Sequence, residues 1–210
     1  MAKSPRVYGG ETAEQRTERR RQQLIDAARD LLRTEGWGAT SMRSVCARAG
    51  LGDRYFYESF SDRDALLSAV FDEIERDAVV RVGAALVSAG DVQPARANAA
   101  IGALIDLIED DASTRRALFE TPDSQAIHTH RRRALRTFAV LVAGELAEEA
   151  PGEADEVDRE LTAHALLGAF QELLTATAEG ELDVPRERLI AHAAAITGAV
   201  ARVSSRIGST

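Results

Sequence analysis

The chain has 210 residues, a single cysteine, 29% charged residues and a formal net charge of −8. This length can bury a substantial core in one or two domains, while a lone cysteine excludes an intrachain disulfide framework and favours a reducing compartment. The longest apolar run, FAVLVA at 138–143, is far shorter than the roughly 20 residues that span a bilayer, and no apolar signal segment follows the basic N-terminus, so we expect a cytoplasmic protein.

Charge is unevenly distributed along the chain. Residues 1–63 carry 12 Lys and Arg against 9 Asp and Glu, a net +3, whereas residues 64–210 carry 14 against 25, a net −11, and the two parts sum to −8. A basic segment can bind a polyanion even when the average charge of the chain is negative. We therefore predict a basic N-terminal domain over 1–63 and an acidic domain over 64–210.

Apolar residues recur at the helical period along nearly the whole chain, and no segment alternates convincingly like a strand, so the predicted fold is all-α. The first helix is predicted over about 14–35. Thr12 and Gln15 match a capping box at its start, and Gly36 supplies a left-handed stop at its end.

Two short helices are predicted next, near 42–49 and 53–59. Gly50 can adopt a positive φ without a Cβ clash, which suits the end of the first of them. Phe56 and Phe60 are four residues apart and share one face of the second, so we expect both in the core. A helix followed by two short helices around a glycine-containing turn is the layout of a helix-turn-helix module.

The remainder is predicted to form a body of about six helices. The fourth helix is expected to begin after Ser61, whose hydroxyl would cap the amide of Asp64, and to end near residue 88. Pro122 and Pro185 are placed at the start of two later helices, because proline suits the first helical turn. The later helices are predicted near 94–110, 112–120, 122–148, 155–179 and 185–206.

The segment TSMRSVCARAGLGDRYFYESFSDRDALL, residues 40–67, resembles the signature of the TetR family of bacterial transcriptional repressors. The resemblance implies a homodimer whose two N-terminal heads bind a palindromic operator in double-stranded DNA and whose body dimerises and holds a small-molecule effector. It also implies DNA contacts at the starts of the second and fourth helices and along the recognition helix, the helix predicted at 53–59. The DNA-binding residues it implies are Ser41, Met42, Arg43, Asp53, Arg54, Tyr55, Tyr57 and Arg63.

Four positions in the recognition helix region depart from the family pattern. Gly52 stands where a capping serine is common, so the helix start lacks a side-chain cap. Asp53 would repel phosphate but can accept a hydrogen bond from a cytosine amino group, which would make it a specificity residue. Glu58 and Ser59 replace an aromatic or histidine pair, so the base preference of other members does not carry over.

Four arginines near the start of the first helix fit two interpretations. They can add phosphate or minor-groove contacts, which weaken as salt rises. They can equally form a solvated charged face that nearby glutamates balance. These residues are Arg16, Arg19, Arg20 and Arg21.

Two further sites are predicted in the body, each with an alternative in ordinary packing. The effector pocket would be lined mostly by apolar side chains, which favours a mostly apolar effector, although each one suits a core equally well. The pocket candidates are Phe71, Ile74, Leu104, Ile108, Phe119, Phe138 and Phe170. The last two helices would dimerise across a two-fold axis or complete a monomer core. The interface candidates are Leu166, Leu167, Phe170, Leu174, Ile196, Val200 and Val203.

No catalytic or metal-binding motif stands out beside these features. We find no glycine-rich phosphate loop, carboxylate pair or Ser/His/Asp group, so we predict no catalytic residue and no cofactor. His128 and His130 are two apart and face different sides of a helix, so no metal site is predicted. Cys46 is interpreted as a core residue rather than a nucleophile.

The predicted function is sequence-specific transcriptional regulation, with a repressor released from its operator by a small, mostly apolar effector. The alternative is a helical small-molecule-binding protein or an enzyme without a DNA role.

Overall fold

A computed structural model describes residues 12–120, 124–149 and 155–207, apart from the side chains at 93, 94, 125, 126, 149 and 201–207. These residues form nine α-helices and a 3-10 turn at Trp37–Ala39, without any strand, so the predicted all-α fold is confirmed. The helices are α1 (Ala13–Glu35), α2 (Met42–Ala49), α3 (Asp53–Ser59), α4 (Arg63–Ala89), α5 (Gln93–Asp110), α6 (Ala112–Phe119), α7 (Gln125–Glu149), α8 (Glu156–Ala178) and α9 (Arg186–Ile207). None of the described helices is both long enough and apolar enough to cross a bilayer.

The chain divides into two compact units. The first, which we call the head unit, contains the chain up to Ile74 together with Asp111–His130, and the second, the body unit, contains Glu75–Asp110 and the chain from Arg131 onward. The helices α4 and α7 therefore contribute residues to both units, and α6 belongs to the head unit. The functional division predicted between residues 63 and 64 stays a prediction.

Local signals set both ends of α1 and the end of α2 as predicted. Thr12 and Gln15 form a reciprocal capping box at the start of α1, and the amide of Gly36 donates to the carbonyls of Leu31 and Leu32 at its end. Gly36 has a φ of 86° and Gly50, which ends α2, a φ of 66°, so both occupy the region where a Cβ is unfavourable.

The core of the head unit is built on α1 and closed by α2, α3, α4 and α6. Phe56 is completely buried and Phe60 nearly so, which confirms the prediction that both phenylalanines are core residues. Trp37 stacks on Phe71 with ring centroids 5.4 Å apart. The other large buried side chains here include Leu24, Ile25, Leu32, Val45, Leu66, Leu67 and Val70. This packing orients α3 through its buried face.

The start of α4 differs from the prediction. The capping residue is Asp62 rather than Ser61, since Asp62 Oδ1 accepts from the amide of Ala65 at 2.8 Å. Ser61 instead donates its hydroxyl to Asp62 Oδ2. The hydrogen bond from Ala65, together with that from Ser61, lowers the pKa of Asp62. A carboxylate is the better cap here because it also carries the charge that the helix start favours. Pro122, the predicted start of α7, lies outside the described residues.

The small helix α6 is joined to α1 by polar contacts. Asp111 caps α6 and pairs with Arg29 of α1 at 2.8 Å. Arg116 of α6 donates to the carbonyl of Leu32 at 3.0 Å, and Trp37 donates its indole N–H to the carbonyl of Arg116 at 3.3 Å. The Leu32 carbonyl, which also accepts from the amide of Gly36, thereby gains a second donor, and the end of α1 is tied to α6.

The body unit is held by helix packing and two ion-pair groups. Gly102 of α5 faces Ile190 of α9, since a Cβ at Gly102 would lie at an ordinary contact distance of 3.7 Å from the Ile190 side chain. Arg186 of α9 pairs with Asp106 of α5. Arg96 of α5 pairs with Glu145 of α7 at 2.6 Å.

Candidate nucleic-acid interface and effector cavity

Three residues implied to contact DNA lie at the start of α2 and differ in how much of the side chain is free. Ser41 is the N-cap and forms a reciprocal capping box with Ser44, so its hydroxyl is engaged in holding the helix. Met42 is half-buried against the core of the head unit. Arg43 is exposed. Of these three, Arg43 has the side chain best placed to reach an anion in solvent.

The start of α3 lacks a side-chain cap, as the glycine at position 52 predicted. Asp53, the first residue of α3, is exposed. Burial raises the pKa of the Cys46 thiol, and the nearby Asp53 carboxylate adds to that increase. Because the thiolate is the reactive form, a buried thiol with a raised pKa fits the interpretation of Cys46 as a core residue.

Arg54 and Glu58 form an ion pair on the outer face of α3. Arg54 Nε donates to Glu58 Oε1 at 2.8 Å, and the Arg54 side chain is 85% exposed. Arg20 of α1 lies 3.9 Å from the other oxygen of Glu58 and covers the ring of Tyr55 at 4.4 Å. Tyr55 is therefore half-buried beneath an arginine, whereas Arg54 remains available for exchange with an external partner.

Tyr57 is exposed on the recognition helix. Its side chain is 62% exposed, and its ring meets the buried Phe56 edge-on with centroids 5.6 Å apart. A tyrosine whose ring packs on one neighbour while most of its side chain is exposed can offer its hydroxyl to a partner.

Arg63 has a structural role that the sequence did not indicate. Its Nε donates to the carbonyl of Thr40 at 2.5 Å and its Nη2 donates to the carbonyl of Trp37 at 2.7 Å. The side chain thus ties the start of α4 to the turn that precedes α2. Its contact with phosphate, implied by the family resemblance, has to be made by the remaining N–H groups.

Two of the four N-terminal arginines pack on aromatic rings of the head unit. Arg20 covers Tyr55, and Arg21 lies over Phe60 with its guanidinium 5.2 Å from the ring centroid. Arg21 also lies 3.8 Å from Glu18. These contacts add a packing role to the two interpretations available from the sequence, since arginine stems and guanidinium planes cover apolar surface well.

A cavity of about 110 Å³ lies within the body unit. Its wall contains three of the predicted pocket residues, Leu104, Phe138 and Phe170. The other lining residues are Val82, Leu86, Ala97, Ala100, Ile101, Leu141, Val142, Glu145, Leu146, Leu166 and Thr197. The wall is almost entirely apolar, which favours an apolar occupant.

The other four predicted pocket residues do not line this cavity. Phe71 and Ile74 belong to the core of the head unit, where Phe71 stacks on Trp37. Phe119 is half-buried on α6, which is also part of the head unit, and Ile108 is buried on α5. Their place in an effector pocket stays a prediction, because helical periodicity identifies an inward face without identifying the neighbour that covers it.

The predicted dimer residues are partly buried within the single chain. Leu166 and Phe170 line the cavity, and Leu167, Leu174, Ile196 and Val200 are half-buried. The side chain of Val203 lies outside the described residues. Exposed apolar side chains occur elsewhere on α8, at Val157 and Leu161. The dimer interface stays a prediction.

The head segment matches a known family. Residues 24–70 match the model for bacterial regulatory proteins of the tetR family. This segment is therefore similar to the DNA-binding part of the TetR family. A curated relative, the HTH-type transcriptional activator FasR of Mycolicibacterium smegmatis, is 34% identical over 101 residues, covering 48% of this chain and 46% of that protein. The chain thus matches about half the length of this curated relative.

Solved structures share the fold of this chain over most of its length. A transcriptional regulator from Pseudomonas aeruginosa PAO1 superimposes with a TM-score of 0.71 at 20% identity, covering 91% of this chain and 94% of that one. A TetR-family regulator from Mesorhizobium loti gives 0.69 at 18% identity, covering 90% and 98%. These proteins are described as regulators and not as enzymes. At such low identity the likeness supports the fold.

Proposed function

We propose that the protein is a sequence-specific DNA-binding transcriptional regulator whose operator affinity is lowered by a small, mostly apolar effector. The observation that carries the proposal is the exposed surface of α2 and α3, where Arg43, Arg54 and Tyr57 face solvent while Phe56 is buried behind them. This surface lies inside the segment that matches the TetR family model.

The chemistry of this surface suits a duplex. Arg43 can pair with a phosphate, and Tyr57 can donate its hydroxyl to one; such contacts position a protein on DNA without specifying sequence. Arg54 can donate to a guanine edge in the major groove, and Asp53 can accept from a cytosine amino group. For Arg54 to do so, its ion pair with Glu58 must exchange for a contact with a base.

A palindromic operator needs two heads, and we propose a homodimer through α8 and α9. Two heads on one face of a duplex must lie about 34 Å apart, one helical turn, to enter successive major grooves. The exposed Val157 and Leu161 on α8 support the use of this helix in association, because an exposed apolar surface favours burial against a partner.

The cavity in the body unit is the proposed effector site. An effector lowers operator affinity only if it binds better to a form of the dimer whose heads do not fit the operator, and a coupling free energy of about 2 to 3 kcal/mol would give roughly 30- to 150-fold weaker DNA binding. We propose repression, as the family resemblance implies, although the curated relative is described as an activator. A reporter fused to the target promoter, compared with and without this protein, gives the direction of regulation.

The proposal is tested by footprinting purified protein on DNA upstream of its own gene and on fragmented genomic DNA. We expect a protected site with two-fold symmetry and half-sites about one helical turn apart. Absence of any protected site at low salt would refute the DNA role and leave the helical ligand-binding protein as the better interpretation. Light scattering on the same sample measures whether the protein is a dimer.

Point variants connect the footprint to this surface. Arg43→Ala should weaken operator binding and reduce its salt dependence, because it removes a phosphate contact. The matched control is Arg48→Ala on the same helix, since Arg48 is paired with Asp30 and Glu35 of α1. Equal effects of both substitutions would contradict the assignment of Arg43.

A further inference from the structure

The polar groups at the wall of the body cavity all have partners inside the protein. Among the described lining residues, Glu145 and Thr197 are the polar ones. Thr197 donates its hydroxyl to the carbonyl of Ala193 at 2.9 Å. Both oxygens of Glu145 accept from Arg96, from Nε at 2.8 Å and from Nη2 at 2.6 Å. The cavity therefore offers apolar surface and one charge that is already neutralised.

Arg96 is committed to more than this ion pair. Its Nη1 donates to the carbonyl of Gly90 at 3.1 Å, just beyond the carboxyl end of α4. The Arg96 side chain is 15% exposed and that of Glu145 is 27% exposed, so water screens the pair only in part. The hydrogen bonds from Arg96 to Glu145 raise the pKa of Arg96. A ligand that competed for either group would have to break a two-point, partly buried ion pair.

A charged ligand would leave one of these two ions without its partner. A carboxylate that took Arg96 would displace Glu145 and leave two like charges close together. A cation that took Glu145 would displace Arg96 from a position where it also satisfies the end of α4. Breaking this partly buried pair by supplying a competitor for one member is unfavourable because the other member stays partly desolvated without its partner.

We propose that the body cavity takes uncharged ligands, and that the Arg96–Glu145 pair enforces this selection by excluding anions. This inference rests on the proposed function only in calling the ligand an effector. The enclosed part of the ligand is an aliphatic or aromatic group. A cavity of about 110 Å³ is somewhat smaller than the roughly 150 Å³ cavity known to take benzene, which suits about four to six carbon atoms without expansion.

The test compares two probes of equal chain length, butan-1-ol and butanoate, titrated into the full-length protein at neutral pH without DNA. Binding is followed by methyl NMR of the leucine and isoleucine residues of the wall, such as Leu104 and Ile101. We expect butan-1-ol to shift these methyl signals, and butanoate to bind at least about 30-fold more weakly, because the Arg96 guanidinium beside the described wall is already paired with Glu145.

The diagnostic variant is Glu145→Gln. It removes the carboxylate but keeps the side-chain size, so Arg96 becomes available to a ligand anion. Butanoate should then bind at least about 10-fold more tightly than to the wild type, while butan-1-ol binding changes little. The matched control is Glu148→Gln, which removes a charge 3.8 Å from the same guanidinium on a side chain that is 71% exposed. This control should change neither affinity.

A double variant, Arg96→Gln with Glu145→Gln, distinguishes the effect of the ion pair on ligand selection from its effect on folding. It removes both charges together, so no unpaired ion is left, and it should retain butan-1-ol binding without the gain for butanoate. The proposal is overturned if wild-type protein binds butanoate as tightly as butan-1-ol, if Glu145→Gln folds and brings no gain for butanoate, or if neither probe shifts the wall methyl groups. None of these results bears on the footprint, so a failure here and a failure of the DNA role are distinguishable.

Discussion

Asp111 is a carboxylate of the head unit that accepts several hydrogen bonds, and replacing it should weaken that unit measurably. It accepts hydrogen bonds from the amide of Ser113 at 3.0 Å, from the hydroxyl of Thr114 at 3.0 Å and from Arg29 at 2.8 Å. Burial alone raises the pKa of Asp111, but the hydrogen bonds from Ser113, Arg29 and Thr114 outweigh it and lower the pKa from 3.8 to about 2.

The size and pH dependence of the effect follow from that pKa. A fall from 3.8 to about 2 corresponds to about 2.5 kcal/mol, at about 1.4 kcal/mol per pKa unit. Because the folded-state pKa of Asp111 is the lower one, this stability is present above about pH 4 and is lost as the pH falls through about 2. Asp111→Asn keeps the shape and one oxygen acceptor, so we expect a loss of about 2 kcal/mol in the free energy of unfolding at pH 7.

The assay uses the single tryptophan of the chain, Trp37, which lies in the core of the head unit. Urea unfolding of wild type and Asp111→Asn is followed by Trp37 fluorescence from pH 7 down to pH 3, where the difference between them should have shrunk to about half. The control is Asp110→Asn, the adjacent residue, whose side chain is 65% exposed and pairs with Arg81 at 3.3 Å. We expect it to change stability by less than about 0.5 kcal/mol. Equal losses in the two variants, or a difference that does not depend on pH, would refute the reasoning.

Three further predictions concern the head unit. Arg63→Ala should lower the free energy of unfolding by about 1 to 3 kcal/mol, since it removes two charge-assisted bonds to backbone carbonyls; unchanged unfolding with weaker DNA binding would show that phosphate contact is its main role. Gly36→Ala should destabilise more than Gly50→Ala in the same urea assay. Both glycines have positive φ, but a Cβ at Gly36 would lie 2.7 Å from Arg116 Nη1, whereas nothing lies within 4 Å at Gly50, and equal losses would contradict this difference. Tyr57→Phe should leave the free energy of unfolding within about 0.5 kcal/mol and weaken operator binding about 5- to 10-fold by gel shift, because it removes one hydroxyl contact; unchanged affinity would remove Tyr57 from the interface.

Helix ends could be predicted because their causes are local. The capping box at Thr12 involves residues three apart, and the left-handed turn at Gly50 depends on one residue without a Cβ. The predicted N-cap of α4, Ser61, lies one residue before the observed one, Asp62. Both residue types are good N-caps, and only the backbone path selects between them. Burial of Phe56 and Phe60 was equally predictable, because a four-residue spacing places both on one face.

Contacts between distant segments could not be predicted in the same way. The role of Arg63 depends on two carbonyls more than 20 residues earlier in the chain, and the position of Phe71 in the core of the head unit depends on its stacking with Trp37. Periodicity shows which side of a helix is apolar, and many neighbours can cover that side. The ion pair of Arg96 and Glu145 beside the body cavity could not be predicted either, since the two residues lie 49 residues apart.

By itself the sequence determined an all-helical chain, the ends of most helices, the buried phenylalanines of α3 and the helix-turn-helix layout of the head, because each depends on spacing or backbone preference within a few residues. Only the tertiary structure decided that α6 packs in the head unit, that Arg63 holds a turn, and that three of the seven predicted pocket residues line one cavity. Those outcomes depend on which faces meet across long stretches of chain, and the free energy of that choice is shared among many side chains rather than stored in any short motif.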